Sequence, residues 1–151
     1  MIAAWQGMLP ITGDVVIVED DPILRPLMGD ILKDLRIESL AFETADDALM
    51  HALNQHGRCG LLIADHSVPG QIQGTELATM FRSKWPEIPI IVTSGYELET
   101  ATLPDGVAYL QKPWSVDTLI STIAAVVQPG VPVSRIHSCP VGDSPITSPS
   151  S

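Results

Sequence analysis

Basic residues are scarce in this chain. Eight lysines and arginines stand against 18 aspartates and glutamates, a net charge of −10 with histidine neutral. A protein that binds nucleic acid by neutralising phosphates needs a basic face, so direct nucleic-acid binding is excluded as its main work. Docking on an anionic membrane surface is disfavoured for the same reason. Cysteine is nearly absent too: Cys59 and Cys139 provide neither a disulfide framework nor a metal-ligand pattern. Aliphatic runs such as residues 15–18 fall far short of the roughly 20 residues a membrane-spanning helix needs. The first basic residue is Arg25, so the opening ten residues lack the charged start of a signal peptide. The expectation is a cytoplasmic protein. Also missing are G-x-G-x-x-G after the first strand, the phosphate-cradling G-x-x-x-x-G-K-[ST], and a Ser-His-Asp elbow.

What is present suffices for one folded body. The 151 residues fit a single domain, and the 45% apolar content supplies one core. From Gln128 onward the composition changes: prolines 129, 132, 140, 145 and 149 and six serines replace the large apolar residues. Residues 128–151 therefore read as a disordered Pro/Ser-rich tail. Residues 1–12 read as an N-terminal arm, in which Trp5, Met8 and Leu9 either pack or fray. The body is 13–127. Within it, residues 15–18, 61–64, 90–93 and 107–110 are short apolar runs of the kind that form strands buried on both faces, and 37–42 is a weaker edge candidate. Between them runs helical periodicity: Ile23, Leu24, Leu27, Met28, Ile31, Leu32 and Leu35 recur at three- and four-residue spacing. Thr44, Thr75 and Ser115 precede three further helices, Thr44 in a capping-box pattern. The weakest link is 97–103, where a fourth helix has little room. Strands alternating with helices predict an α/β, doubly wound parallel sheet, whose ligands bind beyond the carboxyl ends of the strands.

Those ends are chemically distinctive. Glu19, Asp20 and Asp21 follow the first run and Asp65 the third. Thr93, Ser94 and Gly95 close the fourth, and Lys112 and Pro113 follow the fifth. Carboxylates crowded on one rim raise each other's pKa unless a cation joins them. Magnesium is the natural partner, since it takes one or two carboxylates while keeping water and substrate oxygens. An ammonium and a hydroxyl beside it can hold the oxygens of a phosphoryl group, and a central carboxylate can accept that group as an acyl phosphate. A dehalogenase-type phosphatase would need a second aspartate two residues after Asp65, where Ser67 stands.

The strings Val-Val-Ile-Val-Glu-Asp-Asp (15–21), Leu-Leu-Ile-Ala-Asp-His-Ser-Val-Pro-Gly (61–70), Ile-Val-Thr-Ser-Gly-Tyr (91–96) and Leu-Gln-Lys-Pro-Trp (110–114) together resemble a response-regulator receiver domain of two-component signalling. The resemblance runs from about Asp14 to Val127. It implies a flavodoxin-like (βα)5 fold with strand order 2-1-3-4-5 and a Mg2+ cofactor. On the matching positions, Asp65 resembles the phospho-acceptor. Asp20 resembles a direct magnesium ligand, Glu19 one acting through water, and Ser67 a ligand through its backbone carbonyl. Ser94 matches the switch hydroxyl, with Thr93 as its rival, and Lys112 the phosphate-pairing lysine before a commonly cis proline. Tyr109 matches the aromatic switch, or is plain packing. His66 reads as a loop histidine, and Trp85 and Trp114 as packing residues.

Two departures stand out. The loop Pro69-Gly-Gln-Ile-Gln-Gly74 is one residue longer than the commonest receiver pattern, and Ser94 and Tyr109 are only fifteen residues apart. The resemblance implies a stand-alone receiver that takes a phosphoryl group from a sensor histidine kinase or a histidine phosphotransfer protein. It would signal by protein contact and act as no enzyme beyond its own phosphotransfer and dephosphorylation. The alternative is a receiver-like interaction module that is never phosphorylated.

Overall fold

A computed structural model of the chain describes residues 5–95 and 103–135. Five parallel strands form the central sheet: β2 (Asp14–Val18), β3 (Ser39–Phe42), β4 (Cys59–Asp65), β5 (Ile90–Ser94) and β6 (Val107–Gln111). Their order is β3-β2-β4-β5-β6, which is 2-1-3-4-5 when these five alone are counted. Four helices lie among the described residues: α1 (Leu24–Asp34), α2 (Ala45–Asn54), α3 (Gly74–Lys84) and α4 (Val116–Val127). The doubly wound parallel sheet expected from alternating strands and helices is observed, in the flavodoxin-like strand order that the resemblance implies. Most of the segment expected to hold a short fourth helix, 97–103, lies outside the described residues, as does the tail beyond Arg135.

The three central strands β2, β4 and β5 are buried because each faces two layers, and the period-two rule sorts their side chains between them. Strand β6, expected to be buried on both faces, is an edge strand and only half-buried, with Leu110 alone buried. Val15, Ile17, Leu61, Ile63 and Ile91 point to the side of α1 and α4, where Met28, Ile31, Leu32, Leu119, Ile120 and Ile123 meet them. Val16, Val18, Leu62, Ala64, Ile90 and Val92 point to the side of α2 and α3, against Ala45, Ala48, Ala52, Leu77, Ala78 and Phe81. The alanines of α2 let that helix lie close to the sheet. Helix starts are local in cause. Thr44 Oγ1 accepts the Asp47 N–H at 3.1 Å, and Ser115 Oγ accepts the Thr118 N–H at 3.0 Å.

Four details differ from the sequence-based expectation. Helix α3 begins at Gly74 rather than after Thr75, because Glu76 accepts the Gln73 N–H at 2.8 Å and so fixes Gln73 as the cap. The edge strand starts at Ser39, since Ile37 is still tied to α1 through its N–H to the Leu32 carbonyl. Ile23 precedes α1 and is 78% exposed, and Leu27 is also exposed, so the apolar stripe of that helix is narrower than its spacing implies.

The fourth difference concerns both ends. Structure does not stop at Gln128. Trp5–Gln6 (β1) pairs antiparallel with Ser134–Arg135 (β7), and the buried Gln128 holds the two segments together. Its Oε1 accepts the Leu9 N–H at 2.8 Å, while its Nε2 donates to the carbonyls of Gly7 (2.6 Å) and Val131 (3.1 Å). Trp5, Met8, Ile11 and Val133 pack onto the α1–α4 side of the core. Arg135 reaches Asp117 in the first turn of α4 at 2.7 Å. Proline and serine content misled here because a satisfied glutamine and a few apolar side chains are enough to seat such a segment. Ile11 and Thr12 lie against Gly60, where a side chain would collide with the Thr12 carbonyl, so the arm crosses the amino end of the sheet.

Candidate functional site

The opposite end of the sheet carries the chemistry. Strand β2 delivers Glu19, whose backbone N–H still pairs with the Phe42 carbonyl at 3.0 Å before the chain turns into α1. Strand β4 delivers Asp65 as its last residue. Carboxylate oxygens of Glu19, Asp20 and Asp65 all lie within 4.8 Å of one another; Glu19 and Asp65 are buried and Asp20 is exposed. Lys112, following β6, is seated by its N–H to the Ser94 carbonyl at 2.7 Å. Its Nζ stands 2.8 Å from Glu19 Oε1 and 3.3 Å from Asp65 Oδ2. The Lys112–Pro113 peptide is cis.

Electrostatics follow from this packing. Burial pushes the Asp65 carboxyl above its ordinary range, and Asp20 adds to that, although Lys112 opposes both. Burial likewise raises Glu19 against the hydrogen bonds from Lys112 and the Asp21 N–H. Burial alone would lower the Lys112 ammonium, but Glu19 and Asp65 outweigh it and hold the lysine firmly charged. Asp21 behaves differently. Its exposed carboxylate accepts the N–H groups of Ile23 and Leu24, which lower its pKa and make it the turn that starts α1.

The other sequence-singled residues sit around this centre. Ser94 is buried at the end of β5, one residue past the Thr93–Asp65 pair in register, and Thr93 is buried beside it. Tyr109 lies opposite Val92 in β6, half-buried and packed on the α2–α3 side of the core. Ser67 is exposed in the loop after β4. His66, Trp85 and Trp114 are half-buried.

Sequence reasoning missed two contributors. Gly74 lies so close to β4 that a side chain there would sit 1.8 Å from the Asp65 carbonyl oxygen. Only glycine lets the start of α3 touch the backbone of Asp65, and the glycine after a Pro-Gly loop was the available signal. Arg25 donates from Nη1 to the Glu19 carbonyl at 3.0 Å, bracing the acidic turn from α1. Nothing in the sequence set it apart from a solvated helix charge.

The donor set fits a hard divalent cation: three carboxylates converge, two of them desolvated, with one ammonium for their combined negative charge. An apolar groove of about 450 Å³ adjoins Lys112, lined by Leu24, Leu27, Gly95, Pro113 and Trp114. Among the described residues, no helix is long and apolar enough to cross a membrane.

Comparison with known proteins agrees with this geometry. Residues 15–124 match the family model of the response regulator receiver domain. The hydrogenase transcriptional regulatory protein HoxA of Cupriavidus necator is 31% identical over 120 residues, covering 76% of this chain and 24% of that protein. The chain thus spans about a quarter of the length of the curated relatives it matches. The crystal structure of the receiver domain from the hybrid histidine kinase CckA aligns at a TM-score of 0.66 with 30% identity, covering 77% of this chain and all of that one. A response regulator receiver protein from Sinorhizobium medicae aligns at 0.70 with 23% identity, over 77% of this chain and 94% of that one.

Proposed function

Because the chain belongs to the response-regulator receiver family, we propose that it accepts a phosphoryl group on Asp65 and signals through protein contact. The observation that carries this reading is Lys112 Nζ between Glu19 and Asp65, at 2.8 and 3.3 Å. A carboxylate beside a fixed ammonium and an acidic pair can receive a group whose transfer needs mainly positioning and charge neutralisation.

In the reaction an Asp65 carboxylate oxygen attacks phosphorus, the bond from phosphorus to the donor's imidazole nitrogen breaks, and the imidazole leaves with the electron pair. Asp20 and Asp65 would hold magnesium directly, Glu19 through water, and Ser67 through its carbonyl. When bound, the ion offsets negative charge and orients the phosphoryl oxygens. Lys112 pairs with one of those oxygens and the Ser94 hydroxyl donates to another. Tyr109 then repacks beside Ser94. Adjoining Lys112, the apolar groove lined by Leu24 and the exposed Leu27 favours a protein donor, a sensor histidine kinase or histidine phosphotransfer protein, over a free small phosphate ester.

The test is intact-mass measurement after incubation with acetyl phosphate and magnesium. The wild type gains one phosphoryl group, chelation of magnesium prevents it, and Asp65→Asn gains none. A wild type that stays unmodified under saturating donor overturns the proposal in favour of a receiver-fold interaction module.

A further inference from the structure

The loop after the acceptor strand is fastened to a helix that has no part in the proposed chemistry. Asp46 stands in the first turn of α2 and is half-buried. Its Oδ1 accepts the backbone N–H groups of Gln71 (3.0 Å) and Ile72 (3.2 Å). Two successive N–H groups converging on one oxygen form a small anion-holding concavity, here filled by a carboxylate of the same chain. Gly70 makes the approach possible. Its φ is +108°, and a side chain on it would sit 2.5 Å from Asp46 Oδ1.

The same loop is closed at its base. The Gly74 N–H donates to the His66 carbonyl at 3.0 Å, and the Val68 N–H to Gln73 Oε1 at 3.4 Å. Val68 itself is buried in the core. Ser67 lies inside this closed loop, between the base and the buried valine. The backbone at Ser67 therefore inherits its position from three fastenings, and Asp46 supplies the one that ties the far end to a rigid helix. This is also the loop that is one residue longer than the commonest pattern. A longer loop has more conformations to lose, and an outside anchor removes them.

We infer that Asp46 is a positioning residue for the phosphoryl-acceptor site, pinning the Pro69–Gly74 loop so that the Ser67 carbonyl is presented for magnesium. The inference rests on the proposed phosphorylation of Asp65. Hydrogen-bond acceptance by Oδ1, rather than the negative charge of Asp46, is what the role requires. Outer partners that orient metal ligands typically change metal affinity by about 10–100-fold when removed.

The experiment titrates magnesium against the rate of Asp65 modification by acetyl phosphate in the full chain, alongside melting temperature. In Asp46→Ala the magnesium concentration for half-maximal rate rises by about tenfold, and excess magnesium restores the wild-type maximum. Asp46→Asn keeps the acceptor oxygen and titrates like wild type. Gly70→Ala disturbs the contact from the loop side and reproduces the Asp46→Ala midpoint, and it decides the matter if Asp46→Ala does not fold. A merely structural role would lower the melting temperature and leave the midpoint in place, which overturns the inference. So does an Asp46→Asn variant as impaired as Asp46→Ala. A wild type that is never modified fails at the earlier step and removes the functional reading itself.

Discussion

Lys112 pairs with two buried carboxylates at once, and its removal exposes what burying them costs. In Lys112→Met the Glu19 and Asp65 carboxylates keep their burial and lose their counter-charge. Stability at neutral pH should fall by about 2 kcal/mol, less than for a fully buried ion pair because the ammonium is partly in solvent. Chemical denaturation reads this directly. The pH dependence has a definite sign. Asp65 is raised by burial, so its neutral form favours the folded state. That contribution is complete below the ordinary carboxyl pKa of about 4 and is lost as pH rises through the elevated folded value. Asp65→Asn therefore matches the metal-free wild type near pH 4 and becomes the more stable of the two as pH rises toward 7. Thermal melting of both proteins across that range checks it, and a constant difference would contradict the assignment. At Gly74 the prediction is steric. A methyl group meets the Asp65 carbonyl oxygen at 1.8 Å, so Gly74→Ala should cost about 2–3 kcal/mol and slow phosphorylation even where the protein is fully folded. Asp65, Glu19, Asp20 and Lys112 were legible in the sequence because a charged residue directly after an apolar strand is conspicuous. Arg25 and Gly74 were not, since each acts through a backbone atom of another residue.

At the scale of elements, the sheet was legible almost to the residue. Strands buried on both faces must be continuous and apolar, as 15–18, 61–64 and 90–93 are, whereas 107–110 reads the same way but forms a half-buried edge strand. The helices were legible as far as their caps are local: Thr44 and Ser115 work through bonds three residues away, whereas the start of α3 depends on Gln73 and Glu76 acting with the preceding loop. The ends of the chain were not legible. Pairing of β1 with β7 joins residues about 130 apart in sequence, and no window along the chain can contain it. Gln128 is the element-scale test. Gln128→Ala strands the Leu9 N–H and the carbonyls of Gly7 and Val131, at a cost of about 2–3 kcal/mol. Because those groups lie at the amino end of the sheet, the magnesium-dependent rate of Asp65 modification should stay unchanged. Denaturation midpoint and modification rate, measured on one preparation, separate the two effects.

Across the whole molecule, the two ends of the sheet divide the labour. Carboxylates and lysine gather at the carboxyl end, and the terminal segments close the amino end. Activation is accordingly expected to stay near β5 and β6. With beryllofluoride as a phosphoryl mimic, spectra should move at Ser94, Tyr109 and Lys112, and hardly at Trp5 or Gln128. Ser94→Ala should leave Asp65 modifiable while silencing Tyr109, a shift between two packings without its trigger. Unmoved Tyr109 in the activated wild type would mark an acceptor without that switch. The β1–β7 pairing has one more consequence. Trp5 faces Arg135 across a two-stranded ribbon, and neighbouring strands run about 5 Å apart, so a linker of a few residues can join the two positions. A circular permutant closed there and opened at an exposed turn such as Arg36 or His56 would carry the same sheet, the same acidic rim and the same lysine, with the order of its elements rotated.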